Sequence, residues 1–122
     1  MLMNRSVRAA ALLLACLGLV PAAQAETPRE GVPYVFETVD SYHLPSIYQF
    51  EVTGILRGES TPRTFTFWSR DFSSFEPAQH LSRCDRMALL AMSKPGAYFL
   101  EVVQPTIDRP IPTCKLTRRQ AP

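Results

Sequence analysis

A surplus of one charge is missing from this chain, and so is a stock of catalytic side chains. Its 122 residues carry 13 basic and 11 acidic groups, two histidines, three cysteines, five glycines and one tryptophan. Arg5 and Arg8 lie in a segment expected to be removed, and without them eleven bases face eleven acids. That balance excludes a general nucleic-acid binder, which needs a basic stripe to hold phosphates. Scattered glycines leave no phosphate cradle, and neither an H-E-x-x-H helix nor a G-x-S-x-G elbow occurs. No cofactor and no metal are expected. The length allows one domain. A hydrophobic content of 46% is too high for a disordered tail.

What is present begins with an address. Arg5 and Arg8 form a positive region, Ala9 to Val20 an apolar one, and Ala23-Gln24-Ala25 a small-x-small cleavage signal. The pattern predicts a secretory signal peptide over residues 1–25, cleaved after Ala25. The mature chain, 26–122, is then one domain in the periplasm or outside the cell. The apolar run is shorter than the roughly 20 residues that cross a hydrocarbon core, so no transmembrane segment is expected. An alternative reading takes Leu13-Leu14-Ala15-Cys16 as a lipobox, making the protein a lipid-anchored envelope component. Leu-Gly-Leu-Val after Cys16 is too apolar for the usual polar tether.

Cleavage removes Cys16 and leaves Cys84 and Cys114, which an oxidising compartment should join as a disulfide. His80 and Cys84 are four apart and could share a helical face, but a metal site would need two more ligands, and only His43 and Cys114 remain as soft candidates.

Two-fold alternation of apolar and polar residues marks strands. The first is expected at 33–42, with a turn at His43-Leu44-Pro45-Ser46. The second spans about Ile47–Leu56, where Tyr48, Phe50 and Val52 oppose Gln49, Glu51 and Thr53, and Gly54 suggests a bulge. A third, Arg63–Ser69, sets Phe65 and Phe67 against Thr64, Thr66 and Trp68. The period then becomes helical. Ser82 with Asp85 resembles a capping pair, Cys84, Met87, Ala88 and Ala91 form a stripe, and Lys94-Pro95-Gly96 ends the helix. A fourth strand, Ala97–Val103, is almost wholly apolar, and a fifth covers about Thr113–Arg118.

The expected fold is therefore mainly β with one helix, in the order βββαββ, a small five-stranded OB-like Greek-key barrel. Here a resemblance enters. Ile47-Tyr48-Gln49-Phe50-Glu51-Val52 leading to Leu56-Arg57-Gly58 is similar to a strand-and-Leu-Lys/Arg-Gly feature of netrin-like domains, the OB-fold group that includes the tissue inhibitors of metalloproteinases. Cys84, then Gly96-Ala97-Tyr98-Phe99-Leu100, then Cys114 resembles that group's order of cysteine, Gly-x-Tyr-Leu-Leu strand and cysteine. The resemblance implies an OB fold. The metalloproteinase inhibitors of the group clasp zinc with an N-terminal cysteine, where this chain's mature start is Glu26, so no inhibitory residue carries over.

Enzyme activity is not expected, because neither His43 nor His80 sits in a nucleophile motif. A small hydrolase using one of them is the alternative. OB barrels bind through their second and third strands and the adjoining loops, which here hold Trp68, Arg70, Asp71, Phe72 and Phe75. Aromatics with a few charges suit a protein hot spot or a small polar ligand. The expected function is an exported binding module, an inhibitor or accessory subunit of a secreted or envelope protein.

Overall fold

The computed structural model describes residues 24–70 and 76–120. Six strands and one helix follow in the order β1 (Pro33–Phe36), β2 (Ser41–Ser46), β3 (Gln49–Gly54), β4 (Arg63–Trp68), α1 (Glu76–Ser93), β5 (Tyr98–Val103) and β6 (Thr113–Arg118). They build two three-stranded antiparallel sheets, ordered β1-β5-β6 and β2-β3-β4. Among the described residues the fold is mainly β with one helix. The strand count of five and the order βββαββ are corrected to six and ββββαββ.

The extra strand comes from a bend. The expected strand at 33–42 breaks at Glu37–Asp40, so that β1 joins β5 while β2 joins β3. The bend is held from across the sheet: Glu37 N–H donates to Ile55 O at 2.7 Å, Asp40 N–H to Thr53 O at 2.7 Å, and Ile55 N–H to Thr38 Oγ1 at 3.0 Å. Leu56 then bridges Phe36, which stitches the end of β3 to β1. Gly54 sits where the two backbones nearly touch. A Cβ there would lie 1.9 Å from Thr38 O, so no side chain fits.

Two boundaries also differ. His43 to Ser46 lie within β2, and the turn falls on Ile47 and Tyr48 instead. Pro45 is tolerated because β2 is an edge strand whose register shifts between His43 and Ser46. The helix begins at Glu76, ahead of the capping pair expected at Ser82 and Asp85. Asp85 does not cap; it turns inward, with Oδ1 buried. The helix ends as expected, with Gly96 at φ +80° and Ala97 N–H donating to Lys94 O at 3.1 Å.

Alternation fills the core from both sheets. Phe36, Leu100 and Val102 meet Phe50, Val52, Phe65 and Phe67, all essentially buried. Phe50 stacks on Tyr42 at 5.3 Å and on Phe67 at 5.5 Å between ring centres. Helix α1 packs against β6, β5 and β2 through Cys84, Ala88 and Ala91. A disulfide from Cys84 to Cys114, with Cα atoms 5.6 Å apart, fastens it to β6.

The segment before β1 is held, although its prolines and polar residues suggest a loose start. Glu26 N–H donates to Thr64 O at 2.7 Å and Thr66 N–H to Glu26 O at 3.1 Å, a parallel bridge on the outer edge of β4. The Glu26 carboxylate also grips the Arg63 guanidinium through two bonds of 2.8 Å. Hydrogen bonding from Arg63 lowers the Glu26 carboxyl below its ordinary value of 4.5. A lowered carboxyl stabilises the fold above its unfolded value and loses that contribution as pH falls through the folded one. Both side chains are partly exposed, so the pair contributes under about 1 kcal/mol. Glu26→Gln is therefore expected to lower the urea midpoint slightly at neutral pH, and the gap from the native chain closes near pH 2.

Candidate functional site

Trp68 ends β4 on the face opposite the buried Phe67. The outward residues of this sheet line up in register. Ser41 faces Thr53 and Thr64, His43 faces Glu51 and Thr66, and Gln49 faces Trp68. These rows make a polar ladder. The Thr53 and Thr64 hydroxyls bond at 2.8 Å. His43 Nδ1 lies 3.1 Å from Glu51 Oε2, and Thr66 Oγ1 donates to Glu51 Oε1 at 3.4 Å. Beyond the ladder, Leu44 in β2 is exposed, and so is Ile47 in the β2–β3 turn that leads into Gln49, at 62%.

The backbone beneath Trp68 is locked by a single side chain. Gln104 is fully buried just beyond β5, and its amide reaches across to β4. Trp68 N–H donates to Gln104 Oε1 at 3.1 Å, and Gln104 Nε2 donates to Trp68 O at 3.3 Å. One amide thus bonds the free edge of β4 as a neighbouring strand would. The next two main-chain N–H groups bond on opposite sides, one to the β2–β3 turn and one to the loop after β5. Ser69 is buried and its N–H donates to Tyr48 O at 2.7 Å, while Arg70 N–H donates to Pro110 O at 2.7 Å.

Of the five expected binding residues, the structure describes two. Trp68 is half-buried at the rim of the ladder. Arg70 is exposed, and its guanidinium is ion-paired with Glu30. Asp71, Phe72 and Phe75 lie outside the described residues, as do Cys16 and the rest of residues 1–23. His80 falls in α1, in the stretch whose side chains are likewise outside the description.

The ladder places an imidazole, a carboxylate and a hydroxyl in one row, but not in a nucleophilic order. Glu51 takes both partners, so the Thr66 hydroxyl is directed at the carboxylate rather than at His43. Among the described residues no group of three or more histidine, cysteine or acidic side chains is placed to hold a metal ion.

The sequence reading missed four features of the site. Gln104 was hidden in a proline-rich loop, and Glu30 in a tail that looked unanchored. A shallow cleft of about 450 Å³ opens beside Gln104, between Gly31, Pro33, Val103 and the loop carrying Arg109 and Ile111. Its walls come from separate stretches of chain, which no local pattern reveals. Behind the β2–β3–β4 sheet, Tyr42 reaches toward Asp85, and neither Tyr42 Oη nor Asp85 Oδ1 has a partner of good hydrogen-bond geometry. Burial first, and then the nearby carboxylate, push the Tyr42 phenol well above its ordinary range. Searches of family models, curated proteins and solved structures return no match to this chain.

Proposed function

We propose that this chain is an exported binding module whose OB-like barrel presents the Trp68 rim and the β2–β3 turn to a protein partner. The OB-like assignment rests on connectivity. The bent β1–β2 segment contributes to both sheets, and the helix falls between the third and fourth strands if that segment is counted once. The netrin-like resemblance agrees with this order and supplies no residue role. Export is supported by the leader sequence, and the Cys84–Cys114 bond is consistent with an oxidising compartment. No helix among the described residues is long and apolar enough to cross a membrane.

The observation that carries the reading is the mounting of Trp68. Its main chain is fixed at both polar groups by Gln104, while its indole stands at a rim beside Gln49 and the turn that exposes Ile47. A rigid aromatic beside exposed apolar side chains, ringed by polar groups, is the usual anatomy of an interface hot spot. An inhibitor or accessory subunit of a secreted or envelope protein would use such an edge. The hydrolase alternative is less well supported, because Glu51 occupies both groups that catalysis would need to pair.

A photo-crosslinking residue at Ile47 tests this in the native envelope, with one at Lys115, on the other sheet, as control. The expected result is a discrete protein adduct from position 47 alone, reduced at least about 30-fold in capture by Trp68→Ala. Equal adducts from both positions, or an adduct indifferent to Trp68→Ala, refute the reading.

A further inference from the structure

Helix α1 gives its small side chains to the barrel and its large apolar ones to water. Cys84, Ala88 and Ala91 are buried, whereas Leu89 is 67% exposed, Leu90 47% and Met92 36%. At 3.6 residues per turn, Met92, Leu89 and Leu90 spread over about 160° of the helix surface, with Met92 bordering the buried stripe and Leu89 and Leu90 facing away from it. Arg83 and Arg86 are exposed on the same side, and the exposed Lys94 follows the last turn. The acid within Ser82–Ser93 is Asp85, which is turned toward Tyr42. Among the described residues the outward face is thus apolar and cationic, and Asp85, the acid whose position falls on that arc, buries its Oδ1.

That mixture identifies the occupant. A helix that docks in a protein groove concentrates its anchors in a narrow stripe at i, i+3, i+4 and i+7. Here leucines and arginines alternate around a wide arc. A lipid interface accepts such an arc, because apolar side chains enter the acyl boundary while guanidinium groups extend to the phosphates. A second copy of the chain would set like charges against each other. The helix also needs no ordering on contact, since the disulfide and the barrel already hold it. We propose that α1 rests on an anionic lipid surface, with Leu89, Leu90 and Met92 in the boundary and Arg83 and Arg86 at the headgroups. This is a peripheral contact, and it shares no residue with the Trp68 rim.

Cosedimentation of the mature chain with vesicles tests it, using phosphatidylcholine alone and phosphatidylcholine with about one third phosphatidylglycerol. Binding is expected for the anionic vesicles only, and it falls steeply as salt is raised. Leu89→Ser with Leu90→Ser should weaken it at least tenfold, and Arg83→Gln with Arg86→Gln about fivefold per charge removed. All four side chains are exposed, so an unchanged thermal midpoint confirms that each variant is folded. If the leucine pair perturbs folding, the arginine pair still decides. Failure to bind anionic vesicles, equal binding to both compositions, or indifference to both double variants overturns the proposal. So does a dimer in solution that Leu89→Ser abolishes, because that assigns the face to a second copy.

Discussion

Breaking the Cys84–Cys114 bond should lower the melting temperature on the order of 15 °C. The two cysteines are 30 residues apart in sequence, and a cross-link closing such a loop removes about 3.5 kcal/mol of unfolded-chain entropy. In a domain of this size each kcal/mol moves the midpoint by roughly 4–8 °C. The bond also replaces packing that the helix lacks. Its buried stripe is Cys84, Ala88 and Ala91, small side chains that bring little apolar area to the sheets. The expected result is a large fall both on reduction and in Cys84→Ala with Cys114→Ala, and the double variant then shows no further response to reductant. A double variant that melts with the native chain would mean that packing alone holds α1 in place.

Gln104→Leu should cost about 3 kcal/mol, although leucine is more apolar and close in size. The native amide satisfies both the N–H and the C=O of Trp68 in a fully buried position. Leucine leaves both without a partner, at about 1–3 kcal/mol for each buried group. Denaturant midpoints measure the loss, and hydrogen exchange at Trp68 locates it: that amide should exchange markedly faster while those within β3 keep their protection relative to the global stability. Gln104→Glu is the informative control. Its carboxylate can accept from Trp68 N–H but has no proton for Trp68 O, so it loses stability at neutral pH and recovers part of it in acid, where the protonated carboxyl donates again. A Gln104→Leu chain as stable as the native one removes the amide from its role at the seam.

The legible parts of this fold were those set by local periodicity. Phe50 and Val52 in β3, Phe65 and Phe67 in β4, and the almost wholly apolar β5 all announce their buried faces by alternation. The disulfide followed from counting cysteines in a chain expected to be exported. The bend between β1 and β2 was not legible, because its cause is Gly54 and Ile55 on the facing strand rather than any breaker at Glu37–Asp40. The helix start was misplaced because Ser82 and Asp85 have the spacing of a cap while Asp85 is directed to Tyr42. In the candidate site, the ladder's residues could be named from strand alternation, but not the alignment of His43, Glu51 and Thr66, which depends on register. Gln104 was the hardest to read. A glutamine beside prolines looks like loop surface until a strand edge without a neighbour is found opposite it.

The bend has a mechanical consequence as well. Since Pro33–Ser46 threads through both sheets and Leu56 is stitched to Phe36, neither sheet can peel away alone. Melting one drags the shared segment out of the other, so the two sheets open as a unit. Assembly is bound by the same knot: residue 36 must find both residue 56 and residue 100, and those distant closures, rather than the quick coiling of the helix, set the pace at which the chain acquires its shape.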